Sequence, residues 1–480
     1  MKLSELLNGI EIKKCTADLN MEIGGVCYDS RKAKSGDLFV AVVGYESDGH
    51  RFIDSAVKGG ASCVLCQREP ECDVPYVIVD NTRLGLAVVS ANWFGRPADK
   101  LKMIGVTGTN GKTTTTNLIK SMLETVFGCK VGLIGTNCNM IGDVELETER
   151  TTPESYEIQE LFAKMVDAGC EYAVMEVSSH ALYLDRVAGV QFKLGIFSNL
   201  TRDHLDFHKT MEEYGKAKAI LFRQCDIGII NIDDEYAQMM MDNATCKIFT
   251  YSCDNTEADL SAKNVELRPD GVRFAALMTA SLERVRLGIP GKFSVYNGLA
   301  AMAAIINLGV DIHDAAQALS KCHGVKGRVE VVPTGGDYTI IIDYAHTPDA
   351  LENVLNTLNG FKTGRLVALV GCGGDRDKTK RPIMGKIATD MADFTIITSD
   401  NPRTEDPAAI IQDIVAGITA PKRSYKVIEN RREAIGWAIR YHRPNDIILL
   451  AGKGHETYQI IGKTKHHFDE REVVREYLNK

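Results

Sequence analysis

The chain lacks any apolar stretch approaching the roughly 18 residues that a membrane-spanning helix needs. Its opening, Met1-Lys-Leu-Ser-Glu-Leu-Leu-Asn-Gly9, lacks the apolar core of a secretory signal. The expectation is a cytoplasmic protein with no membrane segment. Basic charge is not in excess either: 56 Lys and Arg stand against 64 Asp and Glu, a net charge of -8. That sign argues against nucleic acid or an anionic membrane as the main partner, although a local basic pocket can still hold phosphates. No second cysteine pair or histidine follows Cys63-Val-Leu-Cys66 at zinc spacing. The 13 cysteines are odd in number and scattered from Cys15 to Cys372 among apolar runs. They read as reduced thiols, neither a disulfide frame nor a zinc site. Repeats and low-complexity tracts are missing too. Hydrophobic residues at 44% and charged ones at 25% exclude disordered, collagen-like and coiled-coil chains.

What remains is ordinary globular chain, and 480 residues is about three times the usual domain length. Residues 1–98 mix short strands, Leu38–Val43 and Tyr76–Val79, with an amphipathic segment at 51–60 and close on the turn-like Trp93-Phe-Gly-Arg-Pro97. A small N-terminal α/β domain fits. Over 99–330, strands at Met103–Val106, Tyr172–Met175 and Leu194–Phe197 alternate with helical patterns, which predicts a doubly wound parallel sheet. A second alternating set, Tyr338–Ile342, Leu366–Val370, Phe394–Ile397 and Asp446–Leu450, predicts a C-terminal Rossmann-like α/β domain over 331–480.

The strongest motif is Gly105-Val-Thr-Gly-Thr-Asn-Gly-Lys-Thr-Thr114, set between a strand and a helix. Consecutive backbone N–H groups of Gly108, Thr109, Asn110 and Gly111 at a helix start can cradle a polyphosphate. Lys112 can neutralise the β and γ oxygens, and the Thr113 hydroxyl, followed by Thr114, can ligate Mg²⁺. Val106 stands where the strict pattern has its first glycine. Glu176 closes an apolar strand, where a metal-binding carboxylate or a plain sheet-edge residue would both fit. Asn199-Leu-Thr-Arg-Asp-His-Leu-Asp-Phe-His208 crowds aspartates and histidines into a turn-rich stretch, open to either a capped loop or a metal site.

Taken together, Thr107-Gly-Thr-Asn-Gly-Lys-Thr-Thr114, Glu176-Val-Ser-Ser-His180, Asn199–Asp206 and Ala217-Lys-Ala-Ile-Leu-Phe222 resemble the Mur ligase family, the ATP-dependent amino-acid-adding enzymes of peptidoglycan precursor synthesis. The resemblance continues end to end: Asp29-Ser-Arg31, Gly36–Phe39 and Asp48-Gly-His50 on one side, Tyr344–Pro348, Gly373–Lys378, Asp400-Asn-Pro-Arg403 and Gly452-Lys-Gly-His-Glu456 on the other. It implies that ATP phosphorylates a D-glutamyl carboxylate of UDP-N-acetylmuramoyl-L-alanyl-D-glutamate. The amine of a diamino acid, here meso-diaminopimelate, then displaces phosphate.

The resemblance also implies roles for single residues. Lys112 is the P-loop lysine; Thr113, Glu176 and His204 match metal-site positions. Lys218 falls on a lysine that CO₂ converts to N6-carboxylysine, whereas Lys216 lies on another helix face. Asn297, Arg328, Asp343 and His346 match nucleotide contacts. Ser30, Thr151, Thr152, Ser178 and Arg186 match positions that hold the muramyl substrate. Arg376, Asp400, Asn401, Arg403, Gly452 and Glu456 match the diaminopimelate pocket, with Arg403 offering the distal carboxylate a guanidinium fork. The loop Gly135–Met140 agrees only loosely with the family pattern and supplies no site residue. Three other readings are an L-lysine-adding family member, a folylpolyglutamate synthase-like ligase, and a P-loop switch whose ATPase answers to a macromolecular partner. The N-terminal motifs and Asp400–Arg403 weigh against the second.

Overall fold

The computed structural model describes residues 1–479 except 45, 46, 149, 269, 280, 323, 420, 422 and 423. The chain divides into two compact units, Met1–Asp259 with Ala300–Val310, and Leu260–Leu299 with Asp311–Lys480.

The first unit holds two sheets. In the N-terminal one the strands run in the order Lys14–Cys15, Tyr76–Ile78, Cys63–Cys66, Asp37–Val40, Gly25–Cys27, parallel except at the Lys14–Cys15 edge. Helix Thr82–Trp93 starts where the Asn81 side chain accepts the amides of Arg83 and Leu84. It stops at the turn the sequence marks, where Gly95 and Arg96 take positive φ ahead of Pro97. Cys63 and Cys66 are fully buried in a strand, and burial pushes their thiols up to about 12 and about 11, so they pack as apolar residues. None of the 13 cysteines, all described, is in a disulfide.

The second sheet is doubly wound. Its parallel strands run Lys247–Ser252, Cys225–Asn231, Phe192–Phe197, Lys102–Thr107, Cys170–Glu176, Lys130–Ile134, followed by the antiparallel pair Asn139–Ile141 and Val144–Leu146. These strands are near-continuous Val, Ile, Leu and Phe because helices cover both faces. Strand order reverses on either side of Lys102–Thr107, so the crevice at the carboxyl ends of that strand and its two neighbours is where a ligand is expected.

The second unit opens with a meander that sequence reasoning did not anticipate, the antiparallel strands Leu260–Arg268, Gly271–Met278 and Ser281–Leu287, with helix Ile312–Lys321 packed on the last. Its main sheet runs Glu330–Val332, Thr339–Asp343, Ile447–Ala451, Leu366–Val370, Phe394–Ile397, Tyr425–Val427, with only the first strand antiparallel. Helices Pro348–Asn359, Lys380–Met391 and Pro407–Val415 cover one face, and Arg431–Arg440 and Glu470–Leu478 cover the other. Among the described residues no helix is long and apolar enough to cross a membrane.

Candidate active site

The P-loop leaves strand Lys102–Thr107 at Gly108, with φ +149, and enters helix Lys112–Phe127 through Gly111, with φ +87. A Cβ on Gly108 would lie 1.9 Å from Ser198 Oγ, so no larger residue fits. The next strand's exit loop props the turn from below. Thr109 N donates to Asn199 O and Asn110 N to Asn199 Oδ1, at 2.8 and 2.9 Å, while Ser198 Oγ donates to Asn110 O at 2.6 Å. Asn199, which opens a motif singled out from sequence but without a role of its own, and Ser198, which the sequence did not mark, therefore shape the site. Lys112 curls back, its Nζ 2.9 Å from both Gly108 O and Thr109 O. Thr113 opens the helix, and Thr114 behind it is buried.

Lys218 reaches the same turn. Helix Met211–Ala219, capped by Thr210, turns Lys218 inward to 1% exposure, and its Nζ donates to Gly108 O at 2.8 Å. Lys216 stays half exposed and pairs with Glu212 and Glu213. Desolvation, then the Lys112 charge, holds the Lys218 amine well below the usual lysine range, and Asp203 opposes this only in part. Lys218 Nζ sits 4.5 Å over the ring of buried Tyr214, whose hydroxyl lies 3.2 Å from Thr109 Oγ1. Burial pushes that phenol up to about 12. His204 takes φ +52 just before the four-residue helix Leu205–His208; its Nε2 is 3.4 Å from Asp203, and its ring packs edge-on to His180.

The neighbouring strand ends at Glu176, which is buried. Its carboxylate accepts from Thr136 N at 2.8 Å and Thr136 Oγ1 at 3.0 Å, both neutral donors, so the buried charge still has room for a cation. Thr136 lies in the loop that sequence reasoning set aside. Gly135 beside it must stay small, because a Cβ there would meet Glu176 Oε1 at 2.7 Å. From this carboxylate a hydrogen-bonded chain joins the predicted muramyl-substrate residues. Thr136 Oγ1 meets Thr151 Oγ1 at 3.0 Å, Thr152 Oγ1 donates to Glu176 O and accepts from Ser178 N, and Arg186 donates to Thr152 O. Ser30 begins a one-turn helix in the N-terminal sheet domain, on which Asp29 accepts the Arg31 amide and guanidinium. Among the described residues no three His, Cys, Asp or Glu side chains converge as a metal cluster.

In the second unit, Arg376, Asp400, Asn401, Arg403, Gly452 and Glu456, spread over 81 positions of sequence, line one cavity of about 190 Å³ together with His346. Gly452, at φ +113, has no Cβ because Asp400 Oδ2 would lie 2.8 Å from it. That oxygen is buried without a hydrogen-bond partner. Arg403 Nη1 donates to Gly374 O at 2.8 Å. Two buried cations missed from sequence hold these groups in place. Lys453 bridges Asn401 Oδ1 and Glu456 Oε2 at 3.1 and 3.0 Å. Arg381 clamps Glu405, Asp413 and Gly373 O, fixing the turns that carry Arg376 and Arg403 and keeping Glu405 down at about 2. Asn297 is buried in helix Lys292–Ile306. Asp343 accepts from Val329 N and Ala345 N, and burial raises its carboxyl above the ordinary range. Arg328 lies over the Tyr344 ring.

Three stretches of the chain match described domains: the Mur ligase family, catalytic domain over 22–97, the Mur ligase middle domain over 106–305, and the Mur ligase, glutamate ligase domain over 327–454. The chain is 49% identical to UDP-N-acetylmuramoyl-L-alanyl-D-glutamate–2,6-diaminopimelate ligase 1 of Clostridium acetobutylicum, covering 100% of this chain and 99% of that one. The corresponding Clostridium tetani ligase is 48% identical at the same coverage. A solved structure of a UDP-N-acetylmuramoyl-L-alanyl-D-glutamate–2,6-diaminopimelate ligase superposes with a TM-score of 0.76 at 33% identity, covering 100% and 99% of the two chains. A Mycobacterium tuberculosis folylpolyglutamate synthase, at 17% identity, TM-score 0.59 and coverage of 77% and 92%, shares the fold alone.

Proposed function

This chain belongs to the Mur ligase family, and we propose that it adds 2,6-diaminopimelate, in its meso form, to UDP-N-acetylmuramoyl-L-alanyl-D-glutamate with ATP, in peptidoglycan precursor synthesis. The observation that carries the choice of amino acid is the cavity of the second unit. Arg376, Lys380 and Arg403 line it together with Asp400 and Glu456, a charge set that matches two carboxylates and an ammonium better than the single carboxylate of L-lysine. Residues 1–98, 99–330 and 331–480 serve as the nucleotide-sugar, ATP and amino-acid domains.

The glutamyl carboxylate oxygen attacks the γ-phosphorus, ADP leaves, and an acyl phosphate forms. The diaminopimelate amine then attacks the acyl carbon, and the tetrahedral intermediate loses phosphate and a proton to give the amide. The difficulty is bringing one anion to another. Lys112 and the glycine turn at the start of helix Lys112–Phe127 cradle the phosphates, the Thr109 and Asn110 amides being held by Asn199, and Asn297, Arg328, Asp343 and His346 hold the rest of the nucleotide. Thr151, Thr152, Ser178 and Arg186 orient the glutamyl end, and Ser30 takes the uracil end. The hydroxyl of Thr113 and the buried carboxylate of Glu176 are hard oxygen donors that would suit Mg²⁺, and His204 matches a further metal-site ligand of the family; the ion would offset phosphate charge.

Lys218 is carbamylated. A neutral amine is the form that attacks CO₂, closing an N–C bond and releasing a proton, and its desolvated, Lys112-facing position favours that form. Phosphate release tests the reading. It should require UDP-muramyl dipeptide and diaminopimelate together, yielding ADP and phosphate. Stimulation by a folate, by a macromolecule, or release of AMP and pyrophosphate would overturn it.

A further inference from the structure

Glu154 stands just before helix Ser155–Asp167 and gives that helix no side-chain cap. Its carboxylate is instead ringed by three guanidiniums. Arg186 Nη2 lies 2.8 Å from Oε1, Arg150 Nη1 2.9 Å from Oε1, and Arg83 Nη1 3.7 Å from Oε2. Arg83 comes from helix Thr82–Trp93 of the N-terminal sheet domain, the others from the central one, and all lie in the same compact unit. Arg83 is anchored by Nε donating to Val43 O at 2.9 Å, which leaves its amino nitrogens facing the cluster. One carboxylate cannot neutralise three cations: Arg150 is 55% exposed and shares its charge with solvent, but Arg83 and Arg186 are only 15% and 14% exposed, so about one buried guanidinium is left in excess. Arg186 Nε is buried with no hydrogen-bond partner. Burial, with Arg150 and Arg83 pushing the same way, lowers the Arg186 guanidinium below its ordinary range. Such a cluster is short of an anion.

Resting on the function proposed above, we propose that Arg83 and Arg150 join Arg186 as an oxyanion clamp for the acidic nucleotide-sugar peptide, and that Glu154 is an internal counter-ion whose place the substrate's oxyanion takes. Arg186 ties the clamp to the reacting end, because its other hydrogen bond is to Thr152 O in the chain leading to Glu176. The oxyanion is either the substrate's diphosphate or its glutamyl α-carboxylate. Both offer paired oxygens to a guanidinium fork.

The clamp makes a prediction of opposite signs within one cluster. Removing a guanidinium should weaken the substrate, whereas removing the competing carboxylate should not. The test is calorimetric titration of the full-length enzyme with UDP-N-acetylmuramoyl-L-alanyl-D-glutamate, and with peptide-free UDP-N-acetylmuramate, alongside KM for ATP and diaminopimelate. Arg83→Ala and Arg150→Ala should each raise the dipeptide substrate Kd at least tenfold while moving KM for ATP less than threefold. Glu154→Gln should leave Kd within threefold or tighten it. An equal loss for the peptide-free ligand assigns the diphosphate; a loss confined to the dipeptide ligand assigns the carboxylate. Arg83→Lys, which keeps the charge but not the fork, is read in place of an Arg83→Ala protein that does not fold, and should weaken binding at least threefold. Unchanged Kd in the arginine variants, or a tenfold loss in Glu154→Gln, would overturn the clamp and make the cluster a structural hub. Turnover of the unmodified enzyme is measured first: its absence refutes the ligase reading, whereas turnover with silent arginines refutes the clamp alone.

Discussion

Replacing Lys218 by alanine separates the two charge states its position allows. As an ammonium, Lys218 would share the Gly108 carbonyl with Lys112. With Nζ atoms 2.9 and 2.8 Å from one oxygen, the two charges can be no more than about 5.7 Å apart, and at an effective dielectric of about 20 they repel by about 3 kcal/mol or more, before any cost of desolvation. A buried cation in that place is a poor stabiliser of an ATP site, whereas a carbamate turns the repulsion into attraction. Loss of a preorganised charged group at a reacting centre costs about 2.7–4 kcal/mol, or roughly 10²–10³ in kcat, and that is the fall expected for Lys218→Ala. Folding should survive, since Lys112 still serves Gly108 O and one lost hydrogen bond costs about 1–2 kcal/mol. Acetate or formate, small enough to enter the vacated space, should restore part of the rate. Lys216→Ala should stay within about twofold, because exposed helix pairs contribute only about 0.3–0.5 kcal/mol. The assay is kcat with saturating substrates, with ¹³CO₂ and carbon NMR to observe the carbamate directly. Full activity of Lys218→Ala without added carboxylate would refute the reasoning.

Gly108→Ala should abolish detectable ATP binding and lower stability by more than about 1 kcal/mol, since the new Cβ meets Ser198 Oγ at 1.9 Å on a positive-φ backbone; denaturant unfolding and nucleotide titration check both. Arg403→Ala should raise KM for diaminopimelate by about 10–150-fold, the equivalent of about 1.5–3 kcal/mol for a charged hydrogen bond, with KM for ATP little changed. Arg403→Lys should recover little of it, which steady-state kinetics of the two variants will measure. His455, pushed down to about 4 by burial and then by Arg328 and other neighbouring cations, stays neutral in the folded chain while the unfolded chain binds a proton below about pH 6.5. The unfolded state therefore holds the extra proton between those values, and stability falls as pH falls through that window. Urea unfolding at pH 7 and pH 5 should show a smaller drop for His455→Gln than for the unmodified protein.

The parts of the site written as contiguous motifs were legible in the sequence. Gly108 and Gly111 take the positive φ that a glycine turn into a helix requires, with Lys112 next in line, and the residues proposed for diaminopimelate come as two short runs and a lone arginine. Residues defined by tertiary approach were not. Family resemblance alone separated Lys218 from Lys216 in the sequence, and the burial of Lys218 against Gly108 follows from packing that no local pattern carries. Thr136 reaches Glu176 from a loop with no strong pattern of its own. Lys453 and Arg381 are cations in cores, which composition cannot distinguish from solvated charges. The meander at 260–287 escaped because its central strand, Gly271–Met278, carries the run Phe-Ala-Ala-Leu-Met instead of a clean alternation.

The charged cavity of the second unit selects the amino acid joined. Incorporation of radiolabelled meso-diaminopimelate and L-lysine into UDP-N-acetylmuramoyl-L-alanyl-D-glutamate, compared as kcat/KM with one enzyme preparation, tests it most directly. A cavity that pairs substrate charge leaves the partly buried Arg403 guanidinium without that partner when the distal carboxylate is missing, so diaminopimelate should be favoured by at least roughly 10²-fold. Equal kcat/KM for the two amino acids would contradict the account.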